Sequence, residues 1–271
     1  MMDRMLKAVA APAVLVALFS VPAQGGNPGD GVITAELLPG WQTETGTHMA
    51  GLRLKMAPGW KTYWRAPGDA GIPPRFDWRG SDNMRAARIY WPRPDVFDSN
   101  GMRTIGYHGQ VVLPVELTPR DPDQPLGLAL SVDLGVCQDI CMPMTLDVSA
   151  SLPGAGETAP IRAALAAQPE TATQAKLGDV HCDIDPISDG LRLTAEIDVP
   201  SLGRGEAVVF ELPDPSIWVS EADLRREGGR LIASSDLVPV TGTPFALDRS
   251  SVRITLLGSA RAIDIRGCTG R

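Results

Sequence analysis

Long helical patterns are almost absent from this chain, and so are long apolar runs beyond its first two dozen residues. Without an apolar stretch of about 20 residues, no later segment is expected to cross a bilayer as a helix. Aromatic residues make up only 5% of the sequence and histidine occurs three times, at His48, His108 and His181. None of the three stands at metal-ligand spacing from a cysteine, so no metal site and no bound cofactor are expected. Positive charge is also short: 25 Lys and Arg face 32 Asp and Glu, a formal charge of −7. An acidic chain lacks the basic footprint that nucleic acid or an anionic membrane requires, so neither is expected as a partner. No GxSxG, HExxH, P-loop or GxGxxG motif is present, which removes the common hydrolase, zinc-protease and nucleotide-binding readings.

What is present begins with a secretory pattern. Arg4 and Lys7 precede the apolar stretch Ala8–Ser20, and Val21-Pro22-Ala23 offers small residues for cleavage. A cleaved signal peptide over residues 1–23 is expected, so the mature chain is exported without stable membrane insertion. This leader carries Asp3, Arg4 and Lys7, net +1, so the chain's −7 becomes −8 on the 248 residues that remain.

Those residues are punctuated by turns, with 24 Pro and 28 Gly in the whole sequence. Between the turns lie short runs rich in Val, Leu, Ile and Thr, such as 48–56, 111–117, 126–134, 191–199 and 252–257. That spacing predicts an all-β protein: a β-sandwich over residues 30–150, then a second, smaller β-rich domain over 179–271. Residues 151–178 read as a linker containing a short Ala-rich helix, 161–167, ended by Pro169. Pro92–Gly101 reads as a polar loop, and Glu221–Arg226 as one helical turn.

Four cysteines in an exported protein allow three connectivities. Cys137 and Cys141 lie at the end of one strand pattern and the start of the next, so the three residues between them suit a hairpin that sets them opposite each other. Loop closure separates the two pairings, Cys137–Cys141 and Cys182–Cys268, by function. A five-residue ring stabilises by roughly 2 kcal/mol, whereas a Cys182–Cys268 bond around about 87 residues gives roughly 4.6 kcal/mol. The long-range pair therefore reads as a structural staple, and the short pair as one free to cycle, although a hairpin staple is the competing reading, in which the chain is an interaction module with purely structural disulfides. Met142 and Met144 flank Cys141 and raise a further alternative, a Cu(I)-handling module, because thiolate and thioether ligands suit that ion.

Three blocks carry a resemblance. Gly59-Trp60-Lys61-Thr62-Tyr63-Trp64-Arg65-Ala66-Pro67-Gly68-Asp69-Ala70-Gly71, then Ile105-Gly106-Tyr107 with Val111-Val112-Leu113-Pro114-Val115, and finally Val136-Cys137 to Cys141-Met142-Pro143 follow one another at matching spacing. Over roughly residues 30–150 they resemble the N-terminal periplasmic domain of DsbD-type thiol:disulfide interchange proteins, including the suppressor-of-copper-sensitivity reductases. The resemblance implies an immunoglobulin-like sandwich whose cysteine pair relays electrons. Its implied partners are thioredoxin-fold proteins and a membrane thiol-electron transporter. It also implies that Cys137 and Cys141 are the exchanging residues, with Cys141 forming the mixed disulfide. Tyr63 and Trp64 fall where the family places aromatics beside the site, and Phe97 and Tyr107 are candidates to exclude solvent. The spacing of the cysteines is narrower than in the family, and Asp98-Ser99-Asn100-Gly101 lacks the adjacent aromatics of the family's cap loop. No cation is evident near the cysteines, and Asp139 between them is expected to disfavour a thiolate by like charge.

Overall fold

Strict alternation shapes the strand that carries the first cysteine. In residues 126–137 the side chains of Leu126, Leu128, Leu130, Val132, Leu134 and Val136 recur at every second position and all are buried. A period of two is that of a strand with one face toward a core. The intervening Gly127, Ala129, Ser131, Asp133, Gly135 and Cys137 must then share the other face.

The computed structural model describes residues 31–99 and 102–270. The expected signal peptide therefore lies outside the described residues. Ten strands form the first sandwich: β1 (Ile33–Gln42), β2 (His48–Met56), β3 (Lys61–Tyr63), β4 (Arg75–Asp77), β5 (Met84–Ile89), β6 (Asp95–Ser99), β7 (Met102–His108), β8 (Gln110–Pro119), β9 (Leu126–Cys137) and β10 (Cys141–Leu152). One sheet has the order β1-β2-β8-β5, the other β10-β9-β3-β7-β6, with β4 also on β9. The inward sets of β2, β8 and β9 close a shared core around Trp64, giving an immunoglobulin-like all-β sandwich.

After α1 (Ala159–Ala166) come β11 (Glu170–Thr171), β12 (Val180–Pro186), β13 (Leu191–Asp198), β14 (Ala207–Glu211), β15 (Ile217–Val219), β16 (Asp223–Glu227), β17 (Arg230–Pro239), β18 (Arg253–Leu257) and β19 (Ala262–Arg266). These strands build a second sandwich from sheets β11-β19-β18-β14 and β12-β13-β17-β15, with β16 also on β17. The Cys182–Cys268 disulfide joins β12 to the segment after β19.

Three local expectations are corrected. Pro92–Gly101 is not all loop: residues 95–99 are β6, paired to β7 from Asp95↔Gly106 to Ser99↔Met102. Residues 223–227 are strand rather than a helical turn, because β17 offers them a pairing partner from Asp223↔Ser234 to Glu227↔Arg230. Residues 151–178 carry more than a linker. Ile161 and Ala164 of α1, three residues apart on one face, bury against Leu38, Met49 and Val112 on the outer side of the first sheet. Gly51 makes that seat possible, since a Cβ there would meet Ile161 Cγ1 at 2.8 Å. β11 then runs parallel beside β19.

The two sandwiches meet through a mixed seam. Ala207, Leu257 and Ala262 join the first sandwich's apolar core. Arg65 Nε and Nη2 donate to the two carboxylate oxygens of Glu211 at 2.8 and 2.9 Å. The planar fork matches the carboxylate with two parallel bonds. The Arg65 guanidinium also stacks 3.7 Å from the Trp64 ring centroid.

Candidate redox site

The outward face of β9 continues onto its neighbours. Cys137 is directly opposite Cys141 across the β9–β10 hairpin, and the two are joined as a disulfide with a Cα–Cα distance of 4.1 Å. Gln138, Asp139 and Ile140 form the turn, closed by the Gln138 N–H donating to the Ile140 carbonyl at 3.3 Å. On the other side, Lys61 of β3 is opposite Cys137. Alternation along β3 sends Lys61 and Tyr63 to the cysteine face, and Thr62 and Trp64 inward.

Tyr63 is the residue that defines the site. Its Oη lies 2.9 Å from Cys137 Sγ and 3.1 Å from Cys141 Sγ. A disulfide has no hydrogen to give, so the phenol donates. Burial raises the pKa of Tyr63 above its ordinary value, which keeps that proton in place at neutral pH. The ring reaches the sulfurs because Gly135 has no side chain: a Cβ there would sit 3.0 Å from two Tyr63 ring carbons and 2.8 Å from Ile72 Cβ. Ile72, from the loop after β3, thus shares the cover over this face.

The two sulfurs differ in access. Cys137 is 2% exposed, whereas Cys141 is exposed. Beside Cys141 the turn presents Ile140, 75% exposed. Asp139 is also exposed at the tip.

A lysine paired through its backbone with Cys137 also stands on this face, which sequence reading missed. Lys61 Nζ donates to Thr104 Oγ1 at 3.0 Å and lies 4.7 Å from the Phe97 ring centroid. Burial lowers the Lys61 pKa. Phe97 also meets His108 edge-on at 6.1 Å, and His108 Nδ1 is 3.0 Å from Asp95 Oδ2. The pairing of β3 with β9 brings Lys61 here from 76 positions away in sequence, so no local pattern could have signalled it.

The structure gathers Tyr63, Phe97 and the cysteine pair, and separates Trp64 and Tyr107 from them. Trp64 is fully buried in the core, one position along from Tyr63 and therefore on the opposite face. Tyr107 is paired with inward-facing Thr62, and its hydroxyl donates to the Pro92 carbonyl at 2.8 Å. Both are core residues, not solvent shields for the sulfurs. Of the compared cap segment, Asp98 ion-pairs with Arg103 at 3.5 Å, while Asn100 and Gly101 lie outside the described residues. The copper reading loses its geometry: on β10, Cys141 is exposed while Met142 and Met144 are half-buried in the opposite register, and Met144 packs on the core. Thioethers and sulfurs thus point to different sides of the sheet.

Residues 34–153 match the family model described as the N-terminal region of the thiol:disulfide interchange protein DsbD. That segment is 120 of the chain's 271 residues, and over it the chain is similar to that family. The matched segment coincides with the first sandwich and contains Cys137, Cys141 and Tyr63. Among solved structures, the N-terminal periplasmic domain of ScsB from Proteus mirabilis is similar at 23% identity and a TM-score of 0.65, over 88% of this chain and 92% of that one. The likeness in fold thus extends through both sandwiches. No curated protein matches. No helix among the described residues is long and apolar enough to cross a membrane.

Proposed function

We propose that this chain is a periplasmic thiol–disulfide exchange protein that relays electron pairs through Cys137 and Cys141. The donor is a membrane or thioredoxin-like dithiol, and the acceptors are periplasmic thioredoxin-fold proteins. The single observation that carries the reading is the asymmetric disulfide at the hairpin tip: one sulfur open, one buried, and a single phenol donating to both.

The chemistry follows from that asymmetry. A donor thiolate attacks the exposed Cys141 sulfur in line with the S–S bond. That bond breaks, its electron pair passes to Cys137, and a mixed disulfide joins Cys141 to the donor. The Tyr63 hydroxyl already points at the Cys137 sulfur and donates to the thiolate as it forms, which stabilises the leaving group. The donor's second thiolate then attacks the donor sulfur of the mixed disulfide. The donor leaves as a disulfide, and the site holds two reduced sulfurs that take up protons from solvent. Reduction of an acceptor disulfide runs the same steps in reverse, with Cys141 as the attacking thiolate.

Trapping tests this directly. Cys137→Ser should leave Cys141 able to accumulate a mixed disulfide with a reduced-and-reoxidised thioredoxin-fold partner, whereas Cys141→Ser should accumulate little. The reduction potential of the pair should lie above about −300 mV, in the range open to dithiol carriers. A lower value would mark a bond that only staples the hairpin.

A further inference from the structure

Every sheet in a sandwich ends in strands whose outer N–H and C=O groups lack a neighbour, and proteins blunt such edges with charge, proline, bulges or brevity. Among the described residues several edges follow that rule and β14 does not. β1 carries Pro39 and a register shift between Leu38 and Trp41. β5 carries Arg85, Arg88 and a shift between Met84 and Ala86. β10 contains Pro143, β12 ends on Pro186, and β11 has two residues. β14 has none of these devices. Its sequence is Ala-Val-Val-Phe-Glu, and its one charge, Glu211, is committed to Arg65.

β14 closes its sheet, bonded to β18 alone. Among the described residues no other backbone or side-chain group hydrogen-bonds to its main chain. The outer edge borders a groove of about 560 Å³ between the two sandwiches. One wall is the loop that runs from Arg65 to Pro73, and the opposite wall is the short edge strand β15. Trp218 and Val240 stand on the rim, 49% and 75% exposed. The charges are unequal. Arg65 and Arg103 are neutralised by Glu211 and Glu221, while Asp69 and Asp214, which also line the groove, have no ion-pair partner among the described residues.

We infer that this groove takes an extended peptide segment of a partner protein, which adds a strand to β14 and alternates apolar side chains with lysine or arginine. Main-chain bonds to the unpaired edge supply affinity, as in other cases of strand addition. Trp218 supplies an apolar and cation-accepting face, and the two carboxylates without an ion-pair partner select for basic residues. The groove does not use the sulfurs, so the inference stands independently of the redox proposal.

The test uses three capped synthetic peptides: alternating valine and lysine, alternating valine and glutamate, and the lysine peptide N-methylated at alternate amides. With the full exported chain labelled for amide NMR, the lysine peptide should shift resonances of residues 207–211 and 217–219. Trp218→Ala, a substitution at a surface position, should weaken it about tenfold. Asp69→Asn with Asp214→Asn should also weaken it and flatten its salt dependence. The N-methylated and glutamate peptides should not bind at concentrations where the lysine peptide saturates. The proposal is overturned if the lysine peptide fails to bind, if either control matches it, or if the shifts fall elsewhere. Sedimentation of the free protein as a dimer whose interface protects residues 207–211 would also overturn it, giving the groove to a second copy.

Discussion

The two disulfides of this protein are built from the same bond and do opposite things to the chain. Cys182–Cys268 spans 86 positions, ties β12 to the residues after the last strand, and has Cys182 fully buried. Cys137–Cys141 spans four, at a turn that protrudes from the first sandwich. Long span removes much freedom from the unfolded chain, and short span removes little. Burial denies the first bond to visiting thiols, whereas one sulfur of the second is open to them. The lesson is that span and access, not the presence of a disulfide, separate a staple from the proposed exchange site.

The contrast breaks first on stability. Replacing Cys182 and Cys268 together by Ser should cost about 4 to 5 kcal/mol in urea unfolding, against about 2 kcal/mol or less for Cys137 and Cys141. Equal losses would erase the distinction. The next effect concerns the cover over the exchange site. Gly135→Val must displace Ile72 or the Tyr63 ring, at a cost of about 1 to 3 kcal/mol. Reduction of Cys137–Cys141 by dithiothreitol should become faster, with Cys182–Cys268 unaffected. Tyr63→Phe deletes one hydroxyl and should cost little in folding. It should leave the Cys137 thiolate without its hydrogen-bond donor, a loss of about 1 kcal/mol. The pH profile of alkylation in Cys141→Ser should move to alkaline pH accordingly.

The smallest expected effect separates the sandwiches by acid. His48 in β2 is buried against the Pro39 carbonyl, and burial holds its pKa below the ordinary 6.5. In the range between its folded and unfolded pKa values the unfolded chain binds more protons, so stability is full above pH 6.5 and is lost as pH falls below it. Hydrogen exchange on acidification should loosen the first sandwich before the second, and His48→Gln should abolish that order. Glu116 and Glu206, held by hydrogen bonds below their ordinary 4.5, respond only at lower pH.

Much of this arrangement is legible in the sequence because it is local. The period of two in Leu126–Val136 reports both the strand and its buried face, and a three-residue gap between cysteines reports the hairpin. What is not legible depends on pairing between distant strands. Tyr63 and Trp64 look alike as neighbouring aromatics, yet only the pairing of β3 beside β9 decides that the first meets sulfur and the second meets core. Lys61 enters the site by the same pairing. β16 has too little apolar periodicity to announce itself and is a strand because β17 accepts it. β6, with Asp95 and Asp98 in five residues, reads as loop for the same reason.

Between the end of α1 and the start of β11 the chain has only Ala167, Gln168 and Pro169. The Ala167 carbonyl accepts from the Arg93 amide, and the Gln168 side chain donates back to Leu165. Three residues reach about 10 Å even when fully stretched, and these are tethered at both ends. The halves are thus joined like a bracket rather than beads on a string. For a partner that docks at the proposed exchange hairpin, so short and anchored a join narrows the bearings at which it meets the second sandwich.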